Sequence, residues 1–488
     1  MLPHPPLTFA PLVPELVLAA TGIIVLLLDA FETRYRSMLL AVMSQVGILL
    51  AAVASVRLWN WKGEPTVLGG MIAADRFAVV TRLIILAAAS IAVVYAKHYF
   101  DRTGEGRGEI FALLLFATSG MTLMTASVDL ITIFLALEIF SLSLYVMTGF
   151  SFRLASGEAA LKYFLLGAFS SAFFLYGIAL TYGATGTTKI SGIANSLAGH
   201  AEVSAFALAG LGLLAIGFAF KVGAAPFHMW TPDVYQGAPT PITAFMAAGT
   251  KVAAFAALIR VLDVAFQPLT WNWTPVIWVI AAITMIVGSY LAISQTDIKR
   301  MLAYSSIAHA GFVLTGLTAA NSVGIQSALF YLLAYALMVL GGFGTVMLIS
   351  STGEENTSLE SYKGLASRKP FLSGLMTLFL LSMAGIPPTV GFIAKASVFG
   401  AAVSAGNWPL VVIAVFCSVV AAFFYLRVIV LMYMTEPVTS GDFANQDVPR
   451  ATSLVVLVPA VLVLVLGVFP GLVWGFLQSA SIIKVVMP

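Results

Sequence analysis

Apolar residues run along the chain in blocks of about twenty, the length an α-helix needs to cross a bilayer. The blocks fall at 12–29, 37–57, 76–96, 110–126, 128–149, 159–182, 203–222, 240–262, 275–294, 301–319, 323–350, 370–400, 408–433 and 452–475, with short polar stretches between them. The pattern predicts an all-α polytopic membrane protein of about fourteen transmembrane helices. Two of the blocks are predicted to break. Pro226 has no N–H to give the carbonyl one turn back, at Val222, and Pro387 and Pro388 interrupt the long twelfth run at GIPP (385–388). Backbone freed at membrane depth persists only where protein or a water-filled cavity satisfies it. The segment PFHMWTPDVYQGAPTPITAF (226–245) is too polar and proline-rich for a spanning helix and reads as a connection after the first break.

Composition agrees with the pattern and narrows the function. Of 488 residues, 60% are hydrophobic and 9% charged, against roughly 25% charged in soluble domains. The net charge of +3 sits in flanking loops and implies no nucleic-acid partner. Cys417 is the single cysteine, so an intrachain disulfide, an iron–sulfur site and a cysteine zinc site are excluded. TGEGRG (103–108) is a short charged loop between two apolar runs, and it neither follows a strand nor opens a nucleotide-binding helix. No metal or cofactor site is expected in this chain. No Lys or Arg precedes the first apolar stretch, so the first span reads as retained rather than as a cleaved signal.

Orientation follows from the excess of Lys and Arg in alternate loops. With the N-terminus outside, the inner loops hold Arg34, Arg36, Lys97, Arg102, Arg107, Arg153, Lys299, Arg300, Lys363, Arg368, Lys369 and Arg450. The outer loops and ends keep Arg57, Lys62, Arg76, Lys189 and Lys484. Both termini are therefore expected on the outer side.

Ionisable groups inside apolar runs are costly and point to function. Lys162, Lys221, Lys251 and Lys395 are of this kind, with one acid, Glu138, in ITIFLALEIFSLSLYV. A lone buried carboxylate takes up a proton, whereas a nearby ammonium keeps it ionised. Lys221 and Lys162 are the candidate partners of Glu138. An ammonium parts with its proton more readily once desolvated, and a guanidinium stays charged, so lysine suits a proton relay. A static ion pair is the competing reading, but one pair would suffice for packing. His228 and Asp233 are candidates for linking the interior to the inner aqueous face, and His309, beside Ser305 and Ser306, for holding water between helices. Both histidines equally suit a packing role. Arg260, near Asp263, and Arg427 are expected to reach an interface. Arg82 lies deeper, and its role is open between a structural and a functional pair. A Gly/Pro stretch precedes a buried lysine twice, GAPTPITAF before Lys251 and GIPPTVGF before Lys395, as in inverted-repeat transporters.

FKVGAAPFHMWTPDVYQGAPTPITAF, GIPPTVGFIAK and DIKRMLAYSSIAHAGF closely resemble the antiporter-like membrane subunits of respiratory complex I, the proton-pumping NADH–quinone oxidoreductase. The likeness covers essentially the whole chain, most clearly its fourth to thirteenth helices. Within that family, the chain's end soon after the last helix separates it from the L type. Lys395, where the M type and the D type of cation/proton antiporters carry glutamate, separates it from those, and Gln236 is a lesser mark. These features place it with the branch nearest the peripheral arm.

The resemblance implies a single membrane domain, 1–488: three leading helices (1–109), two inverted five-helix repeats with one broken helix each (110–262 and 275–433), and a last helix with its tail (452–488). It implies that Glu138, Lys221, Lys251 and Lys395 carry protons, with Lys162, His228 and His309 supporting the path. Glu138 and Lys221 would be the input pair, and Lys395 the group nearest a neighbour or the exit. It also implies M-type and K-type neighbours in a bacterial inner membrane, and flavin, iron–sulfur clusters and quinone in partner subunits. The alternatives are a subunit of a multisubunit cation/proton antiporter and a non-transporting scaffold.

Overall fold

The computed structural model describes residues 8–31, 36–105, 108–199, 204–350, 355, 357–437, 450–480 and 482. Arg34, Arg107, Lys484 and both termini, which entered the orientation reading, lie outside the described residues. The chain is helical almost throughout. In order come α1 (Val13–Phe31), α2 (Arg36–Arg57), α3 (Arg76–Thr103), α4 (Glu109–Ala126), α5 (Leu130–Thr148), α6 (Leu154–Thr185), α7 (Ile190–Ala198), α8 (Ala205–Val222), α9 (Trp230–Gly237), α10 (Thr240–Phe245), α11 (Lys251–Arg260), α12 (Thr270–Ile293), α13 (Ile298–Leu317) and α14 (Ser322–Ile349). They are followed by α15 (Leu365–Arg368), α16 (Pro370–Ala384), α17 (Val390–Ser404), α18 (Trp408–Tyr433), α19 (Arg450–Val468) and α20 (Gly471–Gln478). A short antiparallel hairpin pairs Thr66 with Ala73 and Val67 with Ile72.

All fourteen apolar runs are helical. Among the described residues eleven helices are long and apolar enough to cross a membrane, or twelve if α19 and α20, bent by 83° to one another, are one span. The run 370–400 divides into two fifteen-residue helices, α16 and α17, at GIPP. The run 301–319 falls mostly in α13, which carries Lys299, Arg300 and His309. Polar side chains cap the helices where the apolar runs begin: Asp75 accepts from Ala78 N, Asp129 from Ile131 N and Thr132 N, Asp297 from Arg300 N, and Asn321 from Gly324 N. Such caps satisfy the N–H groups a helix start leaves free.

The innermost element is the run Thr240–Ala265, buried from Thr240 to Leu262. It alternates α10, a π-turn (Met246–Thr250), α11 and a second π-turn (Val261–Ala265), so Lys251 directly follows a π-turn. Such turns loosen the regular ladder and recur at functional sites. Around this run α14 packs against α10, α16, α17 and α19, while α6 packs against α8 and α9 and α12 against α13 and α18.

One arginine differs from the sequence expectation, and a second, left open, finds its partner. Arg260 does not reach an interface; it is fully buried and grips Asp75 with two parallel bonds, Nη1 to Oδ2 at 2.7 Å and Nη2 to Oδ1 at 2.6 Å. Its Nε donates to Thr125 O at 2.8 Å. The helix cap of α3 thus supplied a carboxylate that made burial favourable over snorkelling. Arg82 is also fully buried, on Glu15 at 2.9 Å and Pro11 O at 3.0 Å, tying α3 to the first helix. Arg427 donates to Ile293 O and Gln295 O, the carbonyls that end α12.

Where the loops with most of the basic residues gather, Glu355 makes a second tie. It lies between Lys299 Nζ (2.7 Å) and Arg153 Nη1 (3.6 Å) and accepts from Thr240 N and Oγ1, both at 2.8 Å. Burial alone would raise its pKa, but Lys299 and Arg153 outweigh burial and hold it at about 2, against an ordinary value near 4.5. A depressed carboxyl stabilises the fold fully above its unfolded value, and that contribution fades as pH falls from about 4.5 through about 2. Glu355→Gln should therefore cost about 3 kcal/mol, equally across the neutral range, because it leaves Lys299 buried without its counter-charge. Thermal denaturation of the purified complex at several pH values measures this.

Candidate functional site

The two breaks are built alike. At the first, α8 ends at Val222, Gly223 takes the left-handed conformation (φ +73°), and Pro226 follows three residues later. At the second, α16 ends at Ala384, Gly385 is left-handed (φ +87°), and Pro388 stands three residues on. Glycine adopts that conformation without steric cost, which is why it ends both helices. The peptide bonds before Pro226 and Pro388 are both cis. The counterpart of GIPP is therefore GAAP (223–226), and the GAPTP stretch paired with it from the sequence is instead the start of α10.

Each break leaves the carbonyl that its proline cannot satisfy, and each time a lysine takes it. Lys251 Nζ donates to Val222 O at 3.0 Å and to Ser306 O at 2.6 Å. Lys395 Nζ donates to Ala384 O at 2.8 Å and to Ser418 Oγ at 2.8 Å. Both ammonium groups are buried and lie over aromatic faces, Lys251 over Tyr335 at 5.5 Å and Lys395 over Phe312 at 5.0 Å. The sequence pairing of Lys251 with Lys395 thus has a structural basis in their shared partner, a proline-orphaned carbonyl.

Lys221 occupies a different setting, at the end of α8 one residue before Val222. Its ammonium lies 5.4–5.8 Å from the ring centres of Phe140, Tyr145, Tyr163 and Phe220. A single side-chain hydrogen bond, to Ser141 Oγ at 2.7 Å, gives it a polar partner. Ring faces attract the cation but leave most of its donor capacity unused.

The structure does not join Glu138 and Lys221 directly. Among the described residues no ion pair forms between them; Glu138 accepts from Ser171 Oγ, and Ser141, three residues along α5, stands on Lys221. Residues three apart share a helix face, but the Ser141 hydroxyl that accepts from Lys221 itself donates to Leu137 O on its own helix. In place of the expected contact, the acid and the ammonium each bond a different serine, Ser171 and Ser141. Glu138 is only half-buried, and Ile139 and Leu135 beside it are exposed on the side of α5.

Lys162 is not at depth as expected. It lies in the third turn of α6, partly exposed, between Glu158 (2.7 Å) and Asp233 (2.8 Å). Asp233 is shared: its other oxygen accepts from Arg300 Nη1 at 2.5 Å, and Arg300 also reaches Gln236 at 3.2 Å. Asp233 therefore spans the two halves of the chain, α9 on one side and α13 on the other. His228, in the connection after the first break, has a buried Nδ1 without a hydrogen-bond partner among the described residues. His309 is buried between Tyr331 and Tyr425: Nδ1 stands 2.7 Å from the Tyr331 hydroxyl and Nε2 3.3 Å from that of Tyr425.

Sequence reasoning missed Ser141, Ser171, Ser418, Arg300, Glu355 and the two tyrosines. Only Ser141 had a local signal, its spacing from Glu138. No group of three or more metal-ligating side chains occurs among the described residues.

Buried lysines at two broken helices, with Glu138 on a nearby span, define an ion-translocating membrane subunit of the antiporter type. The chain belongs to the NADH:quinone oxidoreductase/Mrp antiporter membrane-subunit family, whose profile matches residues 127–421. It is 44% identical over 471 residues to NADH-quinone oxidoreductase subunit N of Trichlorobacter lovleyi, covering 96% of both chains. It is 44% identical over 530 residues to the subunit N of Mycobacterium tuberculosis, covering 99% of each. A chain of respiratory complex I from Thermus thermophilus superposes with a TM-score of 0.81 at 34% identity, over 96% of this chain and all of that one. A chain of the Mrp complex from Dietzia shares the fold, with a TM-score of 0.84 at 21% identity. The expected family and branch are borne out.

Proposed function

We propose that this chain is the N-type, proton-translocating subunit of a complex I membrane arm, driven by electron transfer from NADH to quinone in partner subunits. The observation that carries this reading is the repeated motif of a proline-orphaned carbonyl held by a buried lysine. An ammonium on a carbonyl dipole is stabilised there, yet it keeps a second partner through which its load can change: Ser306 O for Lys251 and Ser418 Oγ for Lys395. Glu138, one turn from Ser141 on α5, sets the charge near Lys221, so a change at the half-buried acid is felt by the lysine without direct contact. Lys221 and Lys251 lie on either side of the first break, and Lys395 closes the second. Lys162, half-exposed with Asp233 and Arg300, fits an inner mouth better than an internal relay.

In this reading the chain crosses a bacterial inner membrane about fourteen times in two inverted repeats, with both termini outside. M-type and K-type subunits flank it, and flavin, iron–sulfur clusters and quinone sit in partners. The antiporter alternative is disfavoured by Lys395, where that branch carries glutamate.

A complex purified through a tag on this chain should contain flavin and iron–sulfur clusters and reduce quinone. Reconstituted in vesicles, it should pump protons with neither Na⁺ nor K⁺ present. Transport that requires one of those cations, in a complex lacking quinone reductase activity, would favour the antiporter reading instead.

A further inference from the structure

The second helix turns a single apolar stripe outward. Val42, Val46, Leu49, Leu50, Val53 and Val56 are all exposed, at the three- and four-residue spacing that marks one face of a helix. Arg57, the next position on that face, is exposed as well and ends α2. From Val42 to Arg57 the stripe rises about 22 Å, more than half the thickness of a bilayer core, about 15 Å. An apolar face of that length under a cation matches a phospholipid, acyl chain along the stripe and phosphate at the guanidinium. The exposed face of α18 gives the contrast. Val412, Phe416 and Val419 lead there to Trp408, and no basic residue stands at that end.

The surroundings of Arg57 add charge and fix its level. Of the five basic residues that the charge pattern assigns to the outer loops and ends, three, Arg57, Lys62 and Arg76, fall in one connection. That concentration runs against the inward bias of Lys and Arg. Among the described residues none of the three makes an ion pair with a carboxylate, and Asp75 beside them is taken by Arg260. The Arg76 guanidinium lies over Trp59, 5.1 Å from the ring centre, and its Nε donates to Trp59 O at 3.3 Å. Trp59 in turn stacks on Phe476 of α20 at 4.2 Å. α20 turns by 83° from α19, as a helix lying along the membrane plane does. Tryptophans mark the headgroup level, so Arg57, two residues before Trp59, stands where lipid phosphates stand. A protein partner over the stripe would have to bury an unpaired cation, whereas an anionic headgroup neutralises it at the surface.

We propose that Arg57 and Arg76 hold the phosphate of an anionic glycerophospholipid of the outer leaflet, whose acyl chain lies along the exposed stripe of α2. The headgroup joins the end of α2 to the start of α3 and, through Trp59, to α20. None of the break lysines takes part, so the site stands apart from the translocation reading. Only the choice of leaflet rests on the orientation given there.

The test places the complete complex in phosphatidylcholine vesicles doped with phosphatidylglycerol that carries a photoreactive group in its acyl chain. After illumination, the labelled peptides are identified by mass spectrometry. Peptides of α2 should be labelled more heavily than those of α18, and photoreactive phosphatidylcholine should show no such preference. Arg57→Gln should lower the label on α2 about fivefold, the order expected for one basic residue at a membrane surface, and leave α18 unchanged. Arg57→Lys, which keeps the charge, should retain most of the label. Arg76→Gln is read in the same way, so that one variant still reports if the other fails to assemble. Parental labelling of α2 in assembled Arg57→Gln and Arg76→Gln overturns the proposal. So does equal labelling by the two photoreactive lipids, which would make the stripe ordinary bilayer contact. An unlabelled α2 overturns it as well, because a partner subunit then covers the stripe. Competition by glycerol phosphate in solution would assign the arginines to a soluble anion instead.

Discussion

Lys221→Ala is expected to reduce quinone-driven proton pumping to about a tenth or less while the complex still assembles. The ammonium is held by four ring faces and one hydroxyl, so its removal leaves a cavity with little unsatisfied polarity. Folding should therefore survive what transport does not. Moving one charge across 100 mV requires about 2.3 kcal/mol, somewhat under two pKa units of altered environment. Changing the ionisation of Glu138, one turn from Ser141 on α5, changes the charge that Lys221 meets. Lys221→Arg should also fail, because guanidinium does not release its proton. Glu138→Gln should come close to Lys221→Ala. Ser141→Ala should fall between them and the parent, since it removes the hydroxyl on Lys221 but keeps both charges. Pumping in reconstituted vesicles, with assembly read on a native gel, measures all four. Wild-type rates in assembled Lys221→Ala and Glu138→Gln would make the arrangement structural.

Arg260→Ala should act in the opposite sense, on the fold and not on the chemistry. Its guanidinium is fully buried, makes a bidentate pair with Asp75, donates to Thr125 O, and lies 4.9 Å from the Phe77 ring centre. Removing one partner of a buried pair leaves the other charge without compensation, a cost of about 3–5 kcal/mol. Asp75 also caps α3 through Ala78 N, so a displaced carboxylate unsettles that helix start as well. The expected result is a sharp drop in the amount of assembled complex, whereas the residual assembled fraction pumps at the normal rate per molecule. Asp75→Asn should show the same pattern more mildly, because the amide still accepts one bond and the cap. Normal assembly of Arg260→Ala would place the pair outside the stability of the fold.

These two results separate the buried charges by what surrounds them. Arg260, Arg82 and Lys299 each meet a carboxylate at 2.6–2.9 Å. Lys221, Lys251 and Lys395 meet hydroxyls, carbonyls and rings, and no acid within ion-pair distance among the described residues. A charge with a full counter-charge is fixed, whereas one held by dipoles keeps its protonation open to neighbouring charge.

The sequence by itself determined the class of fold and the groups at stake. Runs of about twenty apolar residues permit only helices in a bilayer, because no water is there to satisfy an open backbone. Pro226 and Pro388 lack the N–H that a helix needs, so both breaks were legible, and the rare lysines within apolar runs stood out against their background. The tertiary structure alone decided which groups meet. Lys251 lies 29 residues from the carbonyl it holds, and Arg260 lies 185 residues from Asp75. Tyr425 is 116 residues from His309. No local periodicity encodes such distances, since they follow from how the helices pack. For the same reason the sequence overstated the burial of Lys162 and the exposure of Arg260. Hydropathy measures the neighbours along the chain, while the cost of a charge is set by the dipoles and counter-charges that packing brings around it.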